Sequence, residues 1–341
     1  MGCITSLPVV DLRTSAAELR RGLREAAHEV GFFYLTGHGV PGELSRRLLE
    51  AARRLFELSD AEKDAVAMVR SPHFRGYTQL GGELTRGRVD WREQIDIGPE
   101  RAPVGGPGRP DYLWLQGPNQ WPASLPELPG IIADWDAALS GVARTLLRHW
   151  AASLGSPPGV FEPAFAETPA TLIKIVRYPR SAASPQGVGP HKDSGVLTLL
   201  LAEPGSSGLQ VRRPGAREWI DVPPTDGAFV INIGELLEVA TGGYLRATEH
   251  RVTLDGQRAD RISVPYFFNP RLDAQIPVLT LPPELRARAG RVADPADPIF
   301  SVYGRNAWKS RLRAHPDVAS AHGYSAGRVG DENPVLGSRG E

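Results

Sequence analysis

The chain has 341 residues, and its 39 lysines and arginines balance its 39 aspartates and glutamates. A formal net charge of zero gives no electrostatic basis for binding nucleic acid. No apolar run approaches the roughly 18 residues of a membrane span, so no membrane contact is expected either. The single cysteine, Cys3, excludes internal disulfides and is typical of a reducing compartment, which predicts a cytoplasmic protein.

The N-terminal part of the chain alternates short strands with helices. A capping-box pattern begins the first helix, because Ser15 and Glu18 can each bind a backbone N–H group of the other. The expected order is a strand at 7–12, a helix from 15 to about 30, a strand at 32–35, a helix over 43–58 and a further helix from 59.

Residues 70–125 lose this periodicity and are rich in glycine, proline, arginine and aromatic residues. A long irregular segment inside a globular chain is often a binding loop or a lid. We therefore expect residues 1–125 to form an α/β region whose last part covers a substrate. Arg75 and Tyr77 are candidate substrate contacts in this segment.

The remainder of the chain predicts a mainly β core with flanking helices. Apolar residues recur at helical spacing over 129–153, which indicates one long helix laid against a sheet. From 171 to 269, short strands at roughly ten-residue intervals with glycine and proline turns are typical of a β-sandwich or barrel. The other expectations are a last helix over 302–314, a solvated His315, one structural unit over 126–322 and a disordered tail over 323–341.

His191 and Asp193 begin a candidate metal site. They precede an apolar run at 196–202 that indicates a buried strand, and alternation along a strand would turn both side chains to one face. His250, in strand-like sequence, is the best candidate for a third ligand. Two imidazoles and one carboxylate on one face of an octahedral metal leave three open positions, as in non-haem Fe(II) oxygenases. Because His-x-Asp alone often occurs by chance, the prediction depends on further residues.

Arg261 and Ser263 supply that further support. In a strand the two residues face the same way, and a guanidinium beside a hydroxyl group suits a carboxylate. The turn signal Asp255-Gly256 lies between His250 and Arg261, so the chain reverses and returns toward the metal. A metal at the mouth of a barrel favours a jelly roll, in which this turn would be a corner between two sheets.

At these residues the chain resembles the isopenicillin-N-synthase-like branch of the Fe(II)/2-oxoglutarate-dependent dioxygenases. The matching pattern is His-x-Asp, a histidine after fifty-odd residues, and Arg-x-Ser about ten residues later. The similarity covers roughly residues 5–315 and extends to Gly31-Phe32-Phe33, His38-Gly39-Val40-Pro41, Arg75-Gly76-Tyr77, Arg177-Tyr178-Pro179 and Asn232-Ile233-Gly234. It implies a double-stranded β-helix (jelly-roll) core with an N-terminal α/β extension and a backing helix.

The resemblance also implies the chemistry. His191, Asp193 and His250 would bind Fe(II), and 2-oxoglutarate would chelate the iron through its 2-oxo acid end. The distal carboxylate of 2-oxoglutarate would pair with Arg261, Ser263 and Tyr178. With O2, the enzyme would form succinate and CO2 while it hydroxylates, desaturates or cyclises a small molecule of secondary or amino-acid-derived metabolism. Two more positions are implied: Asn232 would support Asp193, and Phe267 would contact the substrate.

Two features leave alternatives open. In isopenicillin N synthase, which uses no 2-oxoglutarate, Arg-x-Ser binds a carboxylate of the substrate. Plant members commonly read Asn-Tyr-Tyr-Pro where this chain reads Val176-Arg177-Tyr178-Pro179, which removes one polar contact with the co-substrate. The alternatives are an oxidase of the same fold without 2-oxoglutarate, an ethylene-forming type and, more remotely, a non-enzymatic binding module. The sequence does not specify the substrate or the oligomeric state.

Overall fold

A computed structural model describes residues 6–167, 169–180, 184–256, 259–290 and 297–324. Cys3 and the tail from residue 325 lie outside the described residues, and so do the expectations that rest on them. Within the described ranges, no helix combines the length and the apolar character needed to cross a membrane.

The long helices of the described residues follow the predicted order closely, but a short helix (Pro316–Ala321) follows the helix that was expected to be the last. The capping box of Ser15 and Glu18 is present at the first of them. The helices are α1 (Ala16–Glu29), α2 (Gly42–Glu57), α3 (Asp60–Ala65), α4 (Leu128–Ser153), α5 (Glu235–Ala240), α6 (Pro283–Arg286), α7 (Tyr303–Ala314) and α8 (Pro316–Ala321).

The strands are short, as the spacing of the turn residues predicts. They are β1 (Val9–Asp11), β2 (Phe32–Thr36), β3 (Gly76–Thr78), β4 (Leu84–Thr85), β5 (Arg88–Val89), β6 (Glu93–Ile97), β7 (Leu172–Tyr178), β8 (Gln186–His191), β9 (Leu197–Ala202), β10 (Leu209–Arg212), β11 (Ile220–Asp221), β12 (Phe229–Ile233), β13 (Glu249–Thr253) and β14 (Arg261–Phe268).

Two sheets face each other across an apolar interior. The larger has the strand order β1-β2-β12-β9-β14-β7-β6-β3, the smaller has the order β11-β10-β13-β8, and β4 and β5 form a separate hairpin. Side chains of both sheets meet in one buried cluster, which includes Val176, Val188, Val211, Val230 and Val252. Alternation along each strand turns these residues inward, and their burial removes apolar surface from water.

The N-terminal strands belong to the larger sheet and not to a sheet of their own. β2 pairs with β12 at one side, and β6 pairs with β7 at the other. The predicted α/β extension therefore lengthens the sheet that carries the core.

The long helix α4 backs the larger sheet, as predicted. Trp135, Leu139 and Leu146 on one face of α4 are fully buried. The Tyr266 hydroxyl group on β14 lies 2.7 Å from Ser140 Oγ of α4 and donates a hydrogen bond to Asp136. This contact anchors the helix against the strand that contains Arg261.

The chain crosses between the two sheets at the two places that matter for the site. β8 lies in the smaller sheet and β9 in the larger, and the same change occurs between β13 and β14. The turn at Asp255-Gly256 is therefore a corner between sheets, as expected for a jelly roll. One expectation was wrong: β8 ends at His191, so Asp193 lies in the crossing and not on a strand.

His315 is also placed differently from the prediction of a solvated residue. α7 is followed directly by α8, and His315 at their junction has no exposed surface. Its Nε2 atom lies 3.7 Å from an oxygen of Glu83. The polar local sequence could not reveal this burial, because the covering groups come from a distant part of the chain.

Candidate metal centre and co-substrate pocket

The three predicted metal ligands meet where the two sheets open. β8 and β13 pair His191 directly with His250, and Asp193 follows β8 by two residues. One potential ligand atom from each side chain lies within 4.8 Å of the others. Asp193 Oδ1 is 3.6 Å from Nε2 of His191 and 3.7 Å from Nε2 of His250. The three atoms therefore face a common point that one metal ion can occupy.

Hydrogen bonds fix the orientation of both imidazole rings. His191 Nδ1 lies 2.9 Å from the Gly189 carbonyl oxygen, and His250 Nδ1 lies 3.1 Å from that of Thr248. Donation from Nδ1 leaves Nε2 unprotonated and free for a metal, which is the usual arrangement of metal-binding histidines. Burial and the neighbouring His250 lower the pKa of His191 to about 3, so its ring is neutral at physiological pH.

Asp193 is held by two donors on neighbouring strands of the larger sheet. Its Oδ2 atom accepts hydrogen bonds from Thr198 Oγ1 at 2.5 Å and from Asn232 Nδ2 at 2.8 Å. Burial raises the pKa of Asp193, but His250, His191 and these two hydrogen bonds outweigh it, so the pKa lies below its ordinary value. The carboxylate is therefore ionised, and Oδ1 is directed at the imidazoles.

The sequence predicted that Asn232 supports Asp193, but the contact of Thr198 was not predicted. The available signal was weak: Thr198 is the one hydroxyl residue in the apolar run of 196–202. It follows Asp193 by five residues, which a straight strand would separate widely. The crossing between the sheets brings the two side chains together.

The backbone around Asp193 is packed too closely for larger residues. A Cβ atom on Gly234 would lie 2.1 Å from the carbonyl oxygen of Gly195, and one on Gly195 would lie 2.1 Å from Asn269 Oδ1. The Glu235 amide also donates to the Asp193 carbonyl oxygen at 2.7 Å. Glycine at these two positions therefore allows the start of α5 to fix the crossing segment.

We expect Asn232→Ala to weaken Fe(II) binding by about 10- to 100-fold, the usual effect of removing a group that orients a metal ligand. Without the Nδ2 donor, Asp193 can rotate away from the imidazoles. Competition with a metal-sensitive chelator measures the affinity. Asn119→Ala is the matched control, because Asn119 binds Gly98 and Glu100 and no metal ligand. An unchanged affinity in Asn232→Ala would assign the orientation of Asp193 to Thr198 alone.

A cavity of about 710 Å³ extends from the metal ligands. Its wall combines residues of the predicted covering segment with one face of α7, where Tyr303, Ala307, Arg311 and Ala314 recur at helical spacing. The sequence predicted α7 but gave no sign that it forms a wall of the site.

The β4–β5 hairpin is fixed over this cavity at both ends. At its base, Asp90 Oδ1 accepts a hydrogen bond from the Gly189 amide at 3.1 Å, two residues before His191. At its tip, Arg86 lies 3.6 Å from Glu249, the neighbour of His250. The covering segment is thus tied to both strands that hold histidine ligands. Asp90 is fully buried, and nothing in its local sequence indicated this role.

The residues of the predicted carboxylate clamp lie on two paired strands. β7 and β14 pair Tyr178 with Arg261, whose guanidinium group lies 4.8 Å from the centre of the Tyr178 ring. Arg261, Ser263 and Tyr178 are all buried. Arg261 Nη1 has no hydrogen-bond partner, and within the described ranges no carboxylate lies within 4.0 Å of this guanidinium group. A buried cation without a counter-ion fits the distal carboxylate of a 2-oxo diacid.

Two of the three candidate substrate contacts lie on the cavity wall, and the third does not. Arg75 and Phe267 both lie on the cavity wall. Tyr77 instead packs in the core behind β6, where its hydroxyl group donates a hydrogen bond to Glu93 at 2.5 Å. This contact gives Tyr77 a structural role.

Comparison with known families supports the geometry. Residues 170–270 match the 2OG-Fe(II) oxygenase superfamily, and residues 7–124 match the family described as non-haem dioxygenase in morphine synthesis N-terminal. The second match covers the strands and helices that precede α4, and the first covers all three candidate metal ligands.

Individual relatives are similar to this chain over most of its length. The 2-oxoglutarate-dependent dioxygenase frbJ of Dothideomycetidae sp. is 34% identical and covers 92% of this chain and 90% of its own length. Homoarginine-6-hydroxylase 2-ODD-C23 of Glycine max is 32% identical, over 80% of this chain and 88% of its own. The structure of a 2OG-Fe(II) oxygenase family protein from Caulobacter crescentus has a TM-score of 0.73 at 23% identity, covers 91% of this chain and 99% of its own, and shows the shared fold.

The fold, the His-Asp-His site and these relatives agree, and Fe(II) and 2-oxoglutarate both suit the donors present. The jelly-roll expectation is confirmed by the structural comparison. Because one relative is 34% identical over nine-tenths of the chain, the similarity extends to the sequence and is not limited to the fold. The chain belongs to the 2OG-Fe(II) oxygenase superfamily and is a 2-oxoglutarate- and Fe(II)-dependent dioxygenase.

Proposed function

We propose that this dioxygenase hydroxylates a small carboxylic acid, that Arg75 binds the carboxylate of this substrate, and that Arg261, Ser263 and Tyr178 bind the distal carboxylate of 2-oxoglutarate. The proposal that the substrate is a carboxylic acid depends on the surroundings of Arg75. Its side chain is buried on the cavity wall, yet within the described ranges no carboxylate lies within 4.0 Å of it.

The guanidinium group of Arg75 has an open donor. Its Nη2 atom binds the Leu115 carbonyl oxygen at 3.0 Å, whereas Nε is buried without a hydrogen-bond partner. Burial and the nearby Arg311 lower the pKa of Arg75 to about 10, so the group is still charged at neutral pH. A buried charge is costly unless an opposite charge meets it, which favours an anionic ligand.

The surrounding groups agree with an anionic ligand near Arg75. Arg101 and Arg311 also lie on the cavity wall. Arg311 is already paired with Asp96 at 2.5 Å, so that carboxylate is not free to neutralise Arg75. The soybean relative is named a homoarginine-6-hydroxylase, and homoarginine is an amino acid with a free carboxylate. A role in secondary or amino-acid-derived metabolism and a cytoplasmic location stay predictions from the sequence.

The residues of the chain position the reactants and exclude water. When bound, Fe(II) and 2-oxoglutarate would supply the oxidising chemistry: O2 would oxidise 2-oxoglutarate to succinate and CO2, with one oxygen atom entering succinate and the other entering a C–H bond of the substrate. The metal ligands occupy one face of the ion and leave the other open to the cavity. Arg75 fixes the substrate by its carboxylate, and Leu172, Phe267 and Leu272 give the wall an apolar part that limits access of water.

The test is a panel of carboxylic acids, homoarginine among them, each assayed beside its amide or methyl ester. Succinate formation above the substrate-free rate identifies an acceptor. We expect the free acids to stimulate succinate formation and the neutral derivatives to fail. We also expect Arg75→Met to raise KM for the best acid by about 10- to 100-fold, the range for a hydrogen bond between charged groups.

Arg109→Met is the matched control, because Arg109 is an exposed arginine of the same covering segment. The substrate-free turnover of 2-oxoglutarate should stay unchanged in Arg75→Met if Arg75 acts on the substrate alone. Equal stimulation by an acid and its amide, in wild type and variant, would refute the carboxylate assignment.

A further inference from the structure

A second buried arginine, Arg92, lies in the same row of side chains as the co-substrate clamp. β6 and β7 pair Glu93 with Arg177, and β7 and β14 pair Tyr178 with Arg261. Arg92 is the residue before Glu93, so the antiparallel register places it beside Tyr178. Strands β7 and β14 thus contribute Tyr178 and Arg261 to one row, and the residue just before β6 contributes Arg92.

Both guanidinium groups of this row keep an unused donor. Side-chain hydrogen bonds link Tyr178 to Arg92 and to Arg261. Even so, Arg92 Nε and Arg261 Nη1 are buried without a hydrogen-bond partner. Buried donors without a partner are rare in folded proteins, because they have given up their bonds to water without replacement. Two of them in one row point to a shared ligand.

The main cavity reaches Arg92. Arg92 lies on its wall together with His191 and Asp193. Arg261 lies instead on the wall of a second cavity of about 380 Å³. An anion that extends from the metal ligands into the main cavity therefore reaches the guanidinium group of Arg92, and the row of side chains continues from Arg92 through Tyr178 to Arg261.

The buried cations around Arg92 outnumber the nearby carboxylates by one. Arg92 Nη2 lies 2.9 Å from Glu83 and 3.4 Å from Asp90. Glu83 also pairs with Lys174 at 2.7 Å. Arg261 has no carboxylate within 4.0 Å among the residues described here. Lys174 and Arg311 both pair with Asp96 as well, so four buried cations (Arg92, Lys174, Arg261 and Arg311) share three carboxylates (Glu83, Asp90 and Asp96). Burial and the neighbouring Arg92 lower the pKa of Arg261. One carboxylate between the two arginines would relieve both the imbalance and their repulsion.

We propose that Arg92 is a second guanidinium group that binds the distal carboxylate of 2-oxoglutarate, beside Arg261, Ser263 and Tyr178. This inference rests on the clamp proposed above. It makes the preference for a dicarboxylic 2-oxo acid depend on residues of the covering segment as well as on β14. Through Asp90, which binds both Arg92 and the Gly189 amide, the co-substrate is also connected to the strand that ends at His191.

The test compares two co-substrates that differ only at the distal end. The Fe(II) protein is titrated anaerobically with 2-oxoglutarate and with 2-oxopentanoate, which has the same carbon chain but no distal carboxylate. The visible charge-transfer band of the chelated metal reports each Kd. The variant is Arg92→Met combined with Glu83→Gln, so that the loss of the Arg92 cation is matched by the loss of one of its two carboxylate partners. Glu83→Gln alone and the exposed Arg313→Met are the controls.

In the double variant we expect the Kd of 2-oxoglutarate to rise by about 10- to 100-fold relative to Glu83→Gln. The Kd of 2-oxopentanoate should change by less than about twofold, the scatter of independent sites. Arg92→Lys should restore part of the affinity for 2-oxoglutarate. Equal weakening of both ligands, or no weakening of either, would overturn the role of Arg92. A wild-type protein that binds iron but shows no band with 2-oxoglutarate would overturn the clamp itself.

Discussion

Replacing Asp193 with alanine is expected to abolish iron-dependent turnover while the fold stays intact. Asp193 is the anionic ligand of the site, and its Oδ1 atom is shared between the two imidazole groups. Removal of a group that only orients a ligand costs about 10- to 100-fold in metal affinity or activity. Removal of the ligand itself should therefore lower the Fe(II) affinity by more than about 100-fold. His250→Ala should behave in the same way. The measurements are Fe(II) affinity, succinate formation and the circular dichroism of the metal-free protein.

The fold should survive because no other element depends on the Asp193 side chain. Its carboxylate binds Thr198 and Asn232, whose backbones are held independently by the pairing of β9 with β12. Asp221→Ala is the matched control, because Asp221 is an exposed aspartate of the smaller sheet. Full activity in Asp193→Ala with added Fe(II) would exclude the His-Asp-His site as the metal centre. Loss of secondary structure in Asp193→Ala but not in His250→Ala would mark Asp193 as structural.

The second large effect is expected at Arg261. In Arg261→Ala the concentration of 2-oxoglutarate required for half-maximal turnover should rise by about 10- to 100-fold, since a charged hydrogen-bond partner of the distal carboxylate is lost. Fe(II) affinity should change by less than about twofold, because Arg261 is not among the ligands and acts at a distance. Anaerobic titration with 2-oxoglutarate and a chelator competition assay separate the two quantities.

Ser263→Ala is the graded comparison for Arg261→Ala, because a neutral hydrogen bond contributes less than a charged one. Arg313→Met controls for the loss of one positive charge near the cavity. If the requirement for 2-oxoglutarate is unchanged in Arg261→Ala, the guanidinium group binds a carboxylate of the substrate, as Arg-x-Ser does in isopenicillin N synthase. If Arg261→Ala also lost Fe(II) affinity to the same extent, the substitution would have disrupted the fold of the barrel.

The sequence determined the site residues that belong to a spaced pattern. His191, Asp193 and His250 were found because few chemistries need two imidazoles and a carboxylate followed by Arg-x-Ser. The helices α1 and α4 were also predictable, because a capping box and helical periodicity are local properties of the chain. The turn signal at Asp255-Gly256 correctly predicted that the chain reverses direction there.

The metal ligands are aligned in a different way from the predicted one. Alternation along one strand was expected to align His191 with Asp193, yet β8 ends at His191. The alignment comes from the crossing between the two sheets and from the hydrogen bonds that Thr198 and Asn232 donate to Asp193. The residues were identified correctly because their chemical types, and not their local geometry, carried the prediction.

What the tertiary structure alone decided is the set of partners that come from distant parts of the chain. Asp90, Arg92 and His315 have no local pattern that marks them, since each acquires its role from a neighbour brought near by sheet pairing or by the packing of α7. Local sequence specifies periodicity, caps and turns, because these depend on residues a few positions apart. Burial and charge pairing depend on contacts between strands and helices far apart in sequence, and only the assembled barrel places those groups together.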